Sequence, residues 1–162
     1  MGFGTGKSLK LWLEYFKDID LELHFMEVDG ACVEQYRHTF PKSVTVHIGS
    51  QSKVADLEKV VANGGQDFDL IIDDGGHYMS QQILSMEFFI PKALKPGGLY
   101  VVEDLVSAYL ENDGYHFLDM GSQTTPKYIG ALLEDMHQGN WGKTFRKKSG
   151  TLWEMIEHVD CY

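Results

Sequence analysis

Four short apolar runs, each followed by acidic residues or glycine, alternate with stretches of helical periodicity. This alternation restricts the fold more than any other feature. The runs are Leu21 to Val28 (LELHFMEV), Val44 to Ile48, Phe68 to Ile72 and Leu99 to Val102. Helices are expected over Leu9 to Phe16, Cys32 to Phe40 (stopped by Pro41), Val54 to Ala62 (ended by Asn63-Gly64-Gly65) and Ser80 to Ala93. Met86, Phe88, Phe89 and Ile90 supply the buried side of the last of these. Lys95-Pro96-Gly97-Gly98 reads as a turn. Strands alternating with helices build a parallel sheet with right-handed crossovers, a doubly wound α/β arrangement. Ligands in such sheets sit beyond the carboxyl ends of the strands, where this chain places its acidic and histidine residues. Past Glu103 the pattern gives a loop over Tyr109 to Gln123, a helix over Tyr128 to His137 and a late strand over Trp153 to Val159.

The 162 residues suit one domain spanning 1–162. A net charge of -10 argues against nucleic acid or an anionic membrane as partner. Arg146-Lys147-Lys148 is the one basic run and reads as a solvated turn. Cys32 and Cys161 match no metal spacing and read as reduced structural thiols of an intracellular, cytoplasmic protein. No apolar stretch approaches the roughly 20 residues that cross a bilayer. The start carries no signal-peptide pattern, since Glu14 and Lys17 break the apolar run.

Three constellations carry chemistry. The first is Gly2-Phe3-Gly4-Thr5-Gly6-Lys7-Ser8 at the front of a helix, where glycines admit a close ligand and the helix start favours anionic or polar groups. Gly6-Lys7-Ser8 fits the end of a phosphate-binding P-loop, but the required first glycine falls on Met1. A dinucleotide fingerprint fails because its third glycine falls on Lys7. A plain glycine-rich turn also remains open. The second is Glu27 at the end of the next strand, about 20 residues on, where an acid can accept from both ribose hydroxyls. A surface carboxylate is its bland alternative. The third is Asp73-Asp74-Gly75-Gly76-His77 with Glu103-Asp104 at the next strand end. Neighbouring parallel strands bring Asp74, Glu103 and Asp104 to one rim, and clustered carboxylates call for a positive charge between them. Oxygen ligands suit magnesium. His77 is of the type that serves as a general base near neutral pH. The bland alternative is a helix cap at Asp74 and a locally bonded His77. His24, His38, His47, His116, His137 and His158 show no ligand spacing and read as structural, and Met79, Met86, Trp12, Phe88 and Phe89 as core.

With Gly2-Phe3-Gly4-Thr5-Gly6, FDLIIDDGGH and LKPGGLYVVEDL in that order, the chain resembles the macrocin and mycinamicin sugar O-methyltransferases. These are magnesium-dependent class I enzymes with a Rossmann-like doubly wound sheet that use S-adenosylmethionine. The similarity runs from Gly2 to about Asp104. It implies that Gly2, Gly4 and Gly6 contact the amino-acid end of the cofactor and that Glu27 holds its ribose. Ser50 and Gln51 would lie near the adenine, and Asp73 counts with these cofactor-binding residues. Asp74, Glu103 and Asp104 would hold Mg2+, with His77 as the base. The acceptor would be a hydroxyl of a small molecule such as a sugar or natural product. Ser50 stands where the family usually has an acid. The family also has a strand before the glycine loop and a final antiparallel strand. Both are expected to be missing here, leaving neighbouring strands short of a partner and open to homo-oligomer formation. A degenerate, non-catalytic binding domain of the same fold and a P-loop nucleotide hydrolase are the competing readings.

Overall fold

The structure, a computed structural model, describes residues 1–64, 66–110, 117–139 and 152–160. Helix α1 (Lys7–Tyr15) leads to β1 (Leu23–Glu27), α2 (Gly30–Tyr36), β2 (Val44–Ile48), α3 (Val54–Gly64), β3 (Phe68–Asp73), α4 (Met79–Lys92), β4 (Leu94–Val102) and α5 (Thr125–Gly139). Single 3-10 turns at Arg37–Thr39, Leu105–Tyr109 and Leu152–Met155 complete the described elements. The expected order of helices and strands up to β4 is the observed one. Helix α2 stops at Tyr36, where the expected helix tightens into a 3-10 turn before Pro41.

All strand pairing among the described residues is parallel. β1 pairs with β2 in the register Phe25 to Val46, and β3 pairs with β4 in the register Ile71 to Tyr100. The sheet is therefore in two pieces, and Met1 and Gly2 bridge them. The Gly2 N–H donates to the Met26 carbonyl at 3.0 Å, and the Asp74 N–H donates to the Met1 carbonyl at 3.3 Å.

The two faces of β1 explain the layering. Successive strand residues point to opposite faces. Phe25 packs with Phe3, Leu9 and Val33 of the α1 and α2 side. Its neighbour Met26 packs with Leu57, Val60, Phe88, Phe89 and Ala93 of the α3 and α4 side. Helices thus cover both faces of a Rossmann-like sheet. A further cluster of Ile83, Met86, Tyr128, Leu132 and Leu152 attaches α5 to α4.

Two expectations are corrected here. The sequence predicts a turn at Lys95 to Gly98 before a strand that begins at Leu99. In the structure the strand already begins at Leu94, which pairs with Phe68. The chain then loops out, and pairing resumes at Leu99 opposite Leu70. Gly97, at φ +79°, makes that excursion possible. The late strand over Trp153 to Val159 is not formed; Leu152–Met155 is a 3-10 turn. Leu152 and Ile156 both pack on the α4 and α5 cluster. Arg146-Lys147-Lys148, His116 and Cys161 lie outside the described residues, while Cys32 is a free thiol. None of the helices among the described residues is long and apolar enough to cross a membrane.

Candidate active site

The glycine loop is left-handed at each glycine: φ is +85° at Gly2, +50° at Gly4 and +69° at Gly6. Side chains resist this conformation, so the Gly-x-Gly-x-Gly pattern is a backbone requirement. A Cβ at Gly2 would also overlap the Asp74 carbonyl oxygen, which sets the loop directly against the end of β3. Phe3 points inward from the loop. It is 2% exposed and meets Phe25 edge-on at 5.4 Å and Phe40 at 5.5 Å.

Glu27 ties this loop to the end of β1. One carboxylate oxygen accepts from the N–H groups of Phe3 at 3.0 Å and Gly4 at 3.1 Å. The other accepts from Val28 at 2.8 Å and Asp29 at 3.0 Å. Burial pushes its carboxyl up, but the four backbone amides outweigh that and hold it below the ordinary glutamate value. A carboxylate offers about four acceptor positions, so a ribose would share or displace these amides. Glu27→Gln leaves one oxygen to serve four donors, and its melting temperature is expected to fall below that of the native chain. Because the folded-state value is depressed, this stabilisation is present above the ordinary glutamate pKa of about 4.3. It fades as the pH drops through the folded value. Melting curves recorded from pH 7 to pH 3 should therefore converge at the acid end, and parallel curves would refute the assignment.

Under the loop after β3 lies a buried polar network. The Asp73 carboxylate is fully buried, and burial pushes its pKa up. It accepts from the Gln51 amide at 2.8 and 3.0 Å and from the Tyr100 hydroxyl at 3.3 Å. Gln51 also donates to Ser85 Oγ at 3.2 Å, and its oxygen accepts from the Gly76 N–H at 3.0 Å. Burial, with Asp73 alongside, pushes the Tyr100 phenol well up, so it stays a donor. The amide of Gln51 and the carboxylate of Asp73 are thus bonded to each other within the protein. Ser50 bonds Asp56 through its N–H at 3.0 Å and Ser52 through its hydroxyl at 2.7 Å.

Three of the expected chemical residues meet at the ends of β3 and β4. Asp74, His77 and Asp104 each offer one ligand atom, and these atoms all lie within 4.8 Å of one another. His77 Nε2 is 3.5 Å from Asp104 Oδ2 and 3.8 Å from Asp74 Oδ1. Glu103, the third expected carboxylate, is not part of this group. Its backbone N–H bonds the Asp73 carbonyl at 2.9 Å, continuing the strand ladder. His77 and Asp104 adopt φ of +57° and +54°. Such left-handed non-glycine residues carry strain of order 1–3 kcal/mol each and concentrate at functional sites. Asp74 does not cap the following helix. The Ser80 N–H at the start of α4 goes instead to Asp119 at 3.0 Å. Two exposed carboxylates and one imidazole form a mixed oxygen and nitrogen donor set, open to solvent on one side. That set fits a divalent cation that keeps positions for water or an oxygen ligand.

His24 and His47, both expected to be structural, stack on each other with Nδ1 and Nε2 3.0 Å apart. They sit on β1 and β2, away from this cluster.

No protein-family model matches the chain. It is 34% identical over 104 residues to the demethylmacrocin O-methyltransferase of Streptomyces fradiae, covering 64% of this chain and 24% of that protein. It is 30% identical over 138 residues to an 8-demethyl-8-(2-methoxy-alpha-L-rhamnosyl)-tetracenomycin-C 3'-O-methyltransferase of Streptomyces olivaceus, covering 84% of this chain and 33% of that protein. The chain thus spans about a quarter to a third of the length of these curated relatives. Among solved structures, MycE methyltransferase from the mycinamycin biosynthetic pathway, in complex with Mg and SAH, superposes with a TM-score of 0.75 at 23% identity. That match covers 97% of this chain and 38% of the other. The same enzyme with Mg, SAH and mycinamycin VI gives 0.73 at 24% identity.

Proposed function

We propose that this chain, which carries the class I methyltransferase fold and resembles the macrocin, mycinamicin and tetracenomycin sugar O-methyltransferases, contributes the cofactor and cation sites of an S-adenosylmethionine-dependent O-methyltransferase. The observation that carries this reading is the juxtaposition of two sites. The left-handed glycine loop abuts the end of β3 at Gly2, and Asp74, His77 and Asp104 converge immediately beyond that strand end. A cofactor held by the first site would lie beside an acceptor held at the second.

Methyl transfer is an in-line displacement. An acceptor oxygen attacks the sulfonium methyl, the carbon–sulfur bond breaks to leave a thioether, and the hydroxyl proton must leave. Gly2, Gly4 and Gly6 would let the cofactor approach the backbone closely, with Glu27 fixing the loop and meeting the ribose. Asp74 and Asp104, with His77 completing the set, would hold Mg2+, which when bound lowers the pKa of a coordinated hydroxyl and orients it. His77, expected as the base, faces the two carboxylates through Nε2; with that nitrogen on the ion it has no lone pair left for the proton, which would pass to solvent. Placing oxygen and methyl in line at about 3 Å is the larger part of the catalysis. The acceptor class is a hydroxylated small molecule such as a sugar or natural product.

Thermal unfolding with and without S-adenosylhomocysteine and magnesium tests the reading. A ligand that binds only the folded state, present at about 100 times its dissociation constant, adds roughly 2.7 kcal/mol. At this size that corresponds to a rise of about 5–10 °C. A shift with S-adenosylhomocysteine that magnesium enlarges is the expected result. A cooperative melt that neither ligand moves would replace the reading with a non-catalytic binding domain.

A further inference from the structure

The two left-handed residues of the cation cluster sit on different loops. His77 lies between β3 and α4, and Asp104 lies between β4 and the 3-10 turn Leu105–Tyr109. Aspartate and histidine accept positive φ more readily than most residues, and in this cluster buried side chains hold both turns in place. Ser107, 3% exposed, donates its hydroxyl to the His77 carbonyl at 3.2 Å, so the Asp104 turn grips the His77 loop directly. Gln82, fully buried in α4, donates its amide N–H to the Glu103 carbonyl at 3.1 Å, one peptide before Asp104. Its oxygen has no protein partner, so this single bond accounts for the buried amide. Burying an amide with half its capacity unmet is unfavourable. An apolar residue would fill the same space beside Met79, Ile83 and Met86, on a helix side where Ser85 is the other buried polar residue and bonds Gln51 instead. Packing alone therefore gives no reason for a glutamine at this position.

Resting on the reading of Asp74, His77 and Asp104 as a cation site, we propose that Ser107 and Gln82 are its positioning residues. They clamp the two loops so that the ligand atoms stay within one coordination sphere before an ion arrives. Neither touches the ion. Each acts on a backbone carbonyl, Ser107 at His77 itself and Gln82 at the residue before Asp104. Outer partners bonded directly to ligand side chains typically change ion affinity 10–100-fold when removed, and clamps on the ligand loops are expected near the lower end of that range.

The test is Mn2+ binding, followed by electron paramagnetic resonance titration of the free ion, in the native chain and in Ser107→Ala and Gln82→Met. S-adenosylhomocysteine affinity and melting temperature are measured on the same samples. The expected result is Mn2+ binding about tenfold weaker or more in each variant, with S-adenosylhomocysteine affinity within about twofold of native. Tyr128→Phe, which removes a largely buried hydroxyl bonded to Glu87 at 2.8 Å, serves as a control and should leave Mn2+ affinity unchanged. Native-like Mn2+ binding in both Ser107→Ala and Gln82→Met would overturn the positioning role while leaving the cation site standing. If Ser107→Ala does not fold, Gln82→Met alone decides the question. A native chain that binds no Mn2+ would overturn the cation site, and the positioning role with it.

Discussion

Asp104→Asn is expected to remove divalent-cation binding and, in any form of the protein that turns over, to lower methyl transfer by at least about 100-fold. The substitution keeps the side-chain shape, and asparagine is among the few residues that accept a positive φ. The φ of +54° at this position should therefore survive, and the change is one of charge. Without the Asp104 carboxylate the cluster keeps Asp74 and His77, a single negative charge beside an imidazole. A bound cation contributes several kcal/mol to charge stabilisation, and about 2.7 kcal/mol is already a hundredfold in rate. Mn2+ titration and a methyl-transfer assay on a hydroxylated acceptor give the two readouts. Melting within a few degrees of native shows that the fold is intact. An Asp104→Asn protein that binds Mn2+ as the native does would end the cation assignment.

Phe3→Ala should be the most destabilising single change in the glycine loop. Phe3 is 2% exposed and lies among Phe25, Tyr36 and Phe40, with Leu9 and Val33 completing its cluster. Phenylalanine truncations in such cores cost about 3–5 kcal/mol. For a domain of this size that lowers the melting temperature by about 6–20 °C. There is a second effect. A Cβ at Gly6 would stand 3.1 Å from the Phe3 ring, so ring and loop are packed as one unit. Losing the ring frees the loop that carries the cofactor glycines. S-adenosylhomocysteine binding should weaken by more than Leu9→Ala weakens it, since Leu9 lies in the same cluster but outside the loop. Equal losses in the two variants would mean that Phe3 contributes packing alone.

Much of this was legible in the sequence, for identifiable reasons. Short strands closed by acids and helices closed by glycine or proline are local signals, and β2 at Val44–Ile48 was read to the residue. Asp74, His77 and Asp104 were legible because parallel neighbours bring their carboxyl ends to one rim. The sequence groups Glu103 with Asp104 on adjacency, but the chain turns left-handed at Asp104, past the end of β4, and only the Asp104 carboxylate joins Asp74 and His77. Gln51 and Asp73 carry polar groups in a segment that suggested ligand contact, and only the three-dimensional arrangement shows them bonded to each other. Ser107 carries no local sequence signal. Gln82 did leave a trace: a polar residue on the apolar face of α4, three after Met79 and four before Met86. The false strand after Trp153 failed because apolar residues in a short segment do not by themselves distinguish a strand from a helical turn.

The excursion at Lys95 to Gly98 separates two responsibilities of β4. Leu94 anchors the strand at Phe68, and Leu99 to Val102 align it beside the site. Between these anchors the backbone leaves the ladder, and the space beside Gly97 is open. A change in the length of that excursion would reach the site only through these anchors, so an insertion beside Gly97 would meet little resistance, whereas Gly97 itself is held by its φ of +79° and a Cβ at Gly98 would stand 2.9 Å from Leu94. The four residues after Leu99 have no such freedom, because one step of slippage there would turn Asp104 away from His77.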